Sequence, residues 1–233
     1  GLAIAQALAS EGAAVTITGR RQQVLDEVAG KNISGRAMDV RDESDVASVV
    51  AAAVAEYGPV QICVPNAGIA EGRTLLKTDM DLWRRIMSTN LDGAFLTIRA
   101  CLTSMLETDW GRVISVASIA GLRGAPGAGA YAASKHGLIG LTRTYSEEFM
   151  GQPYTFNALC PGYVDTAIVE RNTHIIAEKT GLSEQDALQA MVDSNRHKRL
   201  IDPGEVAAAA LWLTRPGSES INGQCIEIAG GMV

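Results

Sequence analysis

Two spacings of apolar residues alternate along the chain, one typical of strands and the other typical of helices. Short apolar runs predict strands at 14–18, 36–40, 60–64, 112–117, 155–160 and 224–228. Apolar residues three and four positions apart predict helices at 2–10, 22–29, 43–57, 79–107, 130–150 and 203–214. Strands that alternate with helices of this length form parallel β-α-β units. We therefore predict one doubly wound α/β domain of three layers over residues 1–233, with ligands at the carboxyl ends of its strands.

Two parts of the chain depart from this alternation. Residues 167–202 contain two helix-like pieces and no strand, which predicts a helical insertion. Such an insertion is either a loop that contacts the substrate or an ordinary structural excursion. At the other end, the first helical pattern starts at Leu2 with no strand before it. We therefore expect a strand and a glycine-containing turn ahead of Gly1, and weak dinucleotide binding by a chain that lacks them.

Composition and charge restrict the partners of this chain. Its net charge of -6 and pI near 5.1 disfavour nucleic acid or an anionic membrane as the main partner, because both require a basic surface. No run of about 18 apolar residues occurs, so the sequence predicts no transmembrane helix. The histidines lack the spacing of a metal site, and we predict no catalytic metal. Cysteines in apolar runs without a Cys-x-x-Cys pair indicate reduced thiols in a cytoplasmic protein. They are Cys63, Cys101, Cys160 and Cys225.

Ser118, Tyr131 and Lys135 are the candidate catalytic residues. Tyr131 and Lys135 are four positions apart in a predicted helix, so both can act on one ligand. A phenol titrates near pH ~10, and a nearby ammonium is expected to lower its pKa. Ser118 follows the strand 112–117 and could hold a carbonyl oxygen against Tyr131, as general acid catalysis of carbonyl reduction requires. The alternative is a Tyr-Lys pair on an ordinary solvated helix face.

Arg20 and Arg21 directly follow the predicted strand 14–18 and Gly19. In dinucleotide-binding folds an acidic residue near this point bonds the ribose of NAD, whereas a basic one pairs with the 2'-phosphate of NADP. Guanidinium groups suit phosphate because they donate two parallel hydrogen bonds. The pattern favours NADP(H) over NAD. Solvated arginines at the start of a helix are the alternative interpretation.

Two further strand ends have residues suited to a dinucleotide. Asp39 can accept from an adenine amino group, and Val40 can cover the ring. Asn66, Ala67 and Gly68 follow the next strand, where small residues let the backbone approach a ligand. Each signal is weak alone, because Asn-Ala-Gly is also ordinary turn chemistry. Their recurrence at successive strand ends predicts a dinucleotide site.

Together these motifs resemble the short-chain dehydrogenase/reductase family over essentially the whole chain. Gly1 resembles the last glycine of the family's Thr-Gly-x-x-x-Gly-x-Gly loop, and Pro65-Asn-Ala-Gly68 resembles its Asn-Asn-Ala-Gly. Pro65 replaces an asparagine and lacks a backbone N–H, which affects fine geometry. Other matching positions are the tetrad Asn90, Ser118, Tyr131 and Lys135 and the segment Pro161, Gly162, Val164 and Thr166.

The resemblance implies a Rossmann fold in which NADPH reduces a carbonyl and Tyr131 donates the proton, the reverse reaction oxidising the alcohol. It implies that Lys135 holds the nicotinamide ribose and lowers the Tyr131 pKa, that Ser118 orients the carbonyl and that Asn90 supports a water. Val164 and Thr166 would bond the carboxamide.

The resemblance also bears on partners. The implied partner is a small carbonyl or alcohol compound, of the 3-oxoacyl type or, alternatively, a sugar or polyol. A non-catalytic dinucleotide sensor is the other class of function. The helices at 79–107 and 130–150 resemble those that pair in the family's tetramers, which implies a homo-oligomer, tetramer or dimer.

Overall fold

Parallel β-sheets form the centre of the molecule. The computed structural model of the protein describes residues 1–232, apart from the side chain of Lys179. Strands β1 and β2 form one parallel pair, and β3 to β6 form a second parallel sheet in the order β3-β4-β5-β6. The strands are β1 Val15–Gly19, β2 Ile33–Ala37, β3 Ile62–Cys63, β4 Gly111–Val116, β5 Tyr154–Pro161 and β6 Cys225–Ile228.

Helices connect the strands and cover the four-stranded sheet on both faces. On one face, Leu8 and Ala210 pack against Leu159 of β5; on the other, Ile98 packs against Phe156. Every residue of β5 is consequently buried. This arrangement confirms the predicted three-layer, doubly wound α/β fold. The helices are α1 Leu2–Ser10, α2 Gln22–Val28, α3 Glu43–Tyr57, α4 Met80–Met87, α5 Gly93–Met105, α6 Gly129–Glu148, α7 Ala167–Thr180, α8 Glu184–Ser194 and α9 Pro203–Trp212.

Strand β2 lies three residues earlier than the predicted 36–40. Its ladder with β1 starts at Ile33 and ends at Ala37, after which the Met38 N–H donates to the Gly19 carbonyl. Gly35 interrupts the apolar run, so the hydrophobic pattern does not predict this strand. The same glycine allows β2 to pack closely against α2. A Cβ at Gly35 would lie 2.7 Å from the Leu25 Cβ of α2. Asp39 therefore follows the strand and does not belong to it.

The predicted helix 79–107 is interrupted. Helices α4 and α5 are joined by a π-helical turn, Ser88–Asp92, with Asn90 fully buried in it. The Asn90 side chain accepts from the Ile69 N–H at 2.8 Å and donates to the Ile69 carbonyl at 2.9 Å. Wider turns of this kind occur often at functional sites. Here the turn directs an amide at the loop after β3.

Strand β3 is shorter than the predicted 60–64. Its ladder with β4 covers Ile62 and Cys63. The Val60 N–H donates to the Ser104 hydroxyl at 3.2 Å, outside the sheet, and Pro65 has no N–H to extend the ladder. A five-residue apolar run thus gives a two-residue strand.

The insertion at 167–202 contains α7 and α8, as predicted. The Ser183 hydroxyl caps α8 by accepting from the Asp186 N–H at 3.1 Å. Within residues 1–232, no helix combines the length and the apolar character needed to cross a membrane.

Candidate active site

Tyr131 and Lys135 lie in the first two turns of α6. The Lys135 side chain is buried, and its Nζ donates to the Val116 carbonyl at the end of β4, at 2.8 Å. The same Nζ lies 5.9 Å from the centroid of the Tyr131 ring. The predicted four-residue spacing therefore puts the phenol and the ammonium on one face of the helix.

The two groups have opposite pKa shifts, each dominated by burial. Burial raises the pKa of the Tyr131 phenol, and the neighbouring Ser118 hydroxyl offsets part of the rise. Burial lowers the pKa of Lys135 to about 8, because the ammonium loses its hydration. The structure therefore contradicts the predicted lowering of the Tyr131 pKa, because the net shift is upward. Tyr131 keeps its proton at neutral pH, as a proton donor must.

Ser118 lies two residues beyond the end of β4 and caps a short 3-10 turn. Its backbone is extended, and its Oγ accepts from the Ala120 N–H at 3.1 Å. This hydrogen bond fixes the side chain beside Tyr131. Because catalytic groups of α/β folds lie at the carboxyl ends of strands, this position matches the expectation from sequence.

Gly68 joins the predicted catalytic residues to the loop after β3. A Cβ at Gly68 would lie 3.4 Å from the Asn90 Oδ1 and 3.6 Å from the Lys135 Nζ. Asn90 also donates to the Ser134 hydroxyl at 3.1 Å, and Ser134 donates to the Tyr131 carbonyl at 2.7 Å. The four predicted tetrad residues thus belong to one cluster.

A groove of about 510 Å³ runs along the ends of β1, β2 and β3. Predicted cofactor residues that line it are Arg20, Asp39, Val40, Ala67 and Gly68. The sequence interpretation missed three other arginines of its lining, Arg41, Arg85 and Arg171. The first is adjacent in sequence to Val40 and was detectable; the other two come from α4 and α7, and only folding brings them here.

The charges in this groove are unequally paired. Both oxygens of Asp39 accept from Arg41, whose hydrogen bonds are the main reason that the pKa of Asp39 falls to about 2. Arg20 adds a smaller electrostatic contribution to that shift. Among the described residues, Arg20 has no hydrogen-bond or ion-pair partner. Its guanidinium is therefore available to an anion.

Other predicted cofactor residues lie outside the lining of this groove. Arg21 is the exposed N-cap of α2. Gly1 precedes α1 and contacts Asn66 so closely that a Cβ would lie 2.5 Å from the Asn66 Nδ2. A side chain at position 1 would therefore have to displace the Asn66 amide.

The segment Pro161–Thr166 leaves the end of β5 beside the insertion. Val164 bridges to Ile201, and the Thr166 hydroxyl donates to the Val164 carbonyl at 3.3 Å. Asn195, which the sequence interpretation missed, is fully buried behind this segment. Its side chain accepts from the Tyr163 N–H at 3.2 Å and donates to the Tyr163 carbonyl at 3.0 Å.

Asn195 therefore connects the end of α8 to the strand end that carries four of the predicted residues. No local pattern marks an isolated Asn as such a link. Across the described part of the chain, no three His, Cys, Asp or Glu side chains converge as they would around a metal ion.

Comparisons with known proteins agree with this geometry. The family model described as enoyl-(acyl carrier protein) reductase matches residues 1–233. D-beta-hydroxybutyrate dehydrogenase of Rhizobium meliloti is 34% identical, covering 99% of this chain and 93% of the relative. 3-Oxoacyl-acyl-carrier-protein reductase of Vibrio cholerae is 33% identical, covering 100% and 92%.

A solved structure is similar as well. The crystal structure of a variant actinorhodin polyketide ketoreductase with NADPH superposes with a TM-score of 0.94 at 32% identity, covering 99% of this chain and 92% of that one. Three findings lead to one assignment. The family model matches the full chain, the similar solved structure contains NADPH, and the relatives are named as enzymes that interconvert ketones and alcohols. The chain belongs to the short-chain dehydrogenase/reductase family, and it is an oxidoreductase that acts on CH–OH groups and the corresponding ketones.

Proposed function

We propose that the protein is an NADP(H)-dependent ketoreductase in which Tyr131 is the proton donor. The convergence of Asn90, Ser118, Tyr131 and Lys135 beside the groove is the observation that carries this proposal. The groove suits a dinucleotide, because its walls combine small residues after β3 with an unpaired guanidinium after β1. A non-catalytic sensor would not need a phenol and an ammonium at this spacing.

The chain's own residues then have distinct roles. When bound, the dinucleotide supplies the hydride. Tyr131 donates its proton to the carbonyl oxygen, and its raised pKa keeps the proton available. Ser118 orients that oxygen. Lys135 holds the nicotinamide ribose, and its positive charge stabilises the phenolate left behind. Asn90 supports a water that returns protons to Lys135.

Three groups of residues hold the cofactor in this proposal. Arg20, with Arg21 beside it, binds the 2'-phosphate, and Asp39 and Val40 border the adenine. Gly1 and the segment 66–68 leave room for the phosphates and the ribose. Pro161, Gly162, Val164 and Thr166 line the nicotinamide end, where Val164 and Thr166 bond the carboxamide.

Arg20→Asp should reverse the preference for NADPH over NADH. The substitution removes a charge-assisted hydrogen bond and adds repulsion, so we expect a loss of about 100-fold in kcat/KM with NADPH and little change with NADH. Steady-state kinetics with both cofactors measure this. Arg84→Asp is the matched control, because Arg84 is also exposed and does not line the groove. Equal losses with both cofactors would contradict the assignment.

For the substrate, we propose a 3-oxoacyl compound. Two relatives support this class, because the names 3-oxoacyl reductase and beta-hydroxybutyrate dehydrogenase both place the reacting oxygen on the β carbon. A panel of 3-oxoacyl thioesters, free 3-oxo acids, cyclic ketones and sugars, followed by NADPH absorbance, tests the proposal. Turnover confined to sugars or polyols would overturn it.

We also propose that the protein works as a homo-oligomer, dimer or tetramer, in the cytoplasm. Leu75 and Leu76, just before α4, are 88% and 98% exposed, and Met80 at the start of α4 and Met150 after α6 are exposed as well. The cysteines of the described chain are all free, as in a reducing compartment. Sedimentation velocity measures the association; a monomer at micromolar concentration would contradict it.

A further inference from the structure

Cys225, on the edge strand β6, has surroundings unlike those of the other thiols. It is half-buried, and the Nη2 of Arg143 on α6 donates to its Sγ at 3.7 Å. The Arg143 guanidinium has no other hydrogen-bond or ion-pair partner among the described residues. A guanidinium paired with a sulfur stabilises a thiolate.

A second thiol lies on the same side of the sheet. Cys225 is in register with Ala158 of β5, and Cys160 is two residues further along that strand, facing the same way. The Cys160 thiol lowers the pKa of Cys225 to about 6, with Arg143 helping, whereas partial burial and Glu227 oppose the shift. Cys160 itself is fully buried, and its pKa is raised, chiefly by Cys225.

Cys160 connects this thiol to the catalytic residues. It packs in an apolar cluster with Ala117, which precedes Ser118, and with Leu138, which lies on the helix of Lys135, and Cys225 packs against the same cluster. A chemical change at Cys225 therefore alters the packing around Cys160 first, and through it the surroundings of Ser118 and Lys135.

We propose that Cys225 is a peroxide-reactive thiolate and that its oxidation slows turnover through Cys160. The thiolate sulfur attacks one oxygen of a hydroperoxide: an S–O bond forms, the O–O bond breaks, and the second oxygen leaves as hydroxide or alkoxide and takes a proton from water. Sulfur is oxidised by two electrons and the peroxide is reduced.

The product remains a sulfenic acid. A disulfide would require Cys160 to attack as a thiolate, and Cys160 is held protonated. The diagonal register of the two residues also disfavours the short Cα separation that a disulfide needs.

Labelling of the folded protein with iodoacetamide, read by peptide mass spectrometry, tests the thiolate. The rate at Cys225 should rise with a midpoint near pH 6. At pH 6 it should exceed the rate at the same residue in urea-unfolded chain by about 20-fold, since greater ionisation outweighs the weaker nucleophilicity of a low-pKa sulfur.

Cys63 and Cys101, a buried pair without an arginine partner, are the internal control and should stay unlabelled. Arg143→Gln should move the midpoint upward. A midpoint at pH 8 or above in the unmodified protein would overturn the proposal.

Hydrogen peroxide with dimedone then tests the oxidation. We expect a dimedone adduct at Cys225 and a loss of turnover in proportion to it. Cys225→Ser should turn over normally without peroxide and should lose no turnover when peroxide is added. A Cys160-Cys225 disulfide, or full turnover in fully labelled enzyme, would contradict the proposed outcome. The labelling measurements do not depend on the proposed substrate or cofactor, so their failure is distinguishable from a failure of the ketoreductase assignment.

Discussion

Tyr131→Phe should remove nearly all turnover while leaving the binding of NADPH almost unchanged. The substitution deletes one oxygen from a half-buried side chain and leaves the ring that lies 5.9 Å from the Lys135 Nζ. Loss of a positioned general acid costs about 100-fold to 10,000-fold in rate. Steady-state kcat, together with a fluorescence titration of NADPH, measures the two effects separately.

Tyr163→Phe provides the matched control for this substitution. Tyr163 is close enough to Tyr131 to raise its pKa, and it follows Gly162 in the segment held by Asn195. We assign its hydroxyl no proton transfer, so kcat should change little. If Tyr131→Phe retained a tenth or more of the activity, or if the two variants lost activity equally, another group would have to donate the proton.

Lys135→Met should abolish turnover and at the same time stabilise the protein near pH 7. Burial lowers the pKa of Lys135 from 10.5 to about 8, which corresponds to roughly 3 kcal/mol of unfavourable free energy while the side chain is charged. Methionine removes that penalty but leaves the Val116 carbonyl without its donor, at a cost of about 1 kcal/mol. The net gain expected in the free energy of unfolding is about 2 kcal/mol.

The pH dependence of stability provides the sharper test of the Lys135 prediction. Between pH 8 and 10.5 the unfolded chain binds more protons at Lys135 than the folded chain, so the contribution of Lys135 to stability becomes more favourable as the pH rises through this range. The advantage of Lys135→Met should therefore shrink and vanish by about pH 10.5. Urea unfolding of both proteins at pH 7, 9 and 10.5 measures the difference. A variant less stable than the parent at pH 7 would show that the ammonium contributes stability.

Function and stability thus oppose each other at this residue. A buried cation is unfavourable for folding, but in the proposed mechanism the phenolate left after proton transfer from Tyr131 needs a positive charge nearby. The loss of turnover in Lys135→Met should accompany a gain in unfolding free energy, a combination that damage to the fold cannot produce.

The order of helices and strands followed from local periodicity, since each element is formed by residues near one another in sequence. The Tyr131-Lys135 spacing was readable for the same reason, because a helix fixes the relative position of residues four apart. Strand ends were readable to within a few residues, which was enough to find Arg20, Ala67 and Gly68.

Features that depend on pairing between distant segments were not readable. The register of β2 is set by β1 and by the packing of Leu25 on Gly35, so Asp39 was placed in the strand and not after it. The π-helical turn at Asn90 likewise depends on hydrogen bonds to Ile69, and an uninterrupted helical pattern masks it.

The sequence by itself determined the α/β architecture, the family and the set of residues proposed to carry the chemistry, because these depend on periodicity and short motifs. Only the tertiary structure decided the ionisation of those residues and the network around them. Burial raises the Tyr131 pKa where a neighbouring cation alone would lower it. Folding brings Cys225 into contact with Arg143, which is 82 positions away in sequence. Desolvation and long-range contacts are properties of the packed chain, and no local pattern of residues contains them.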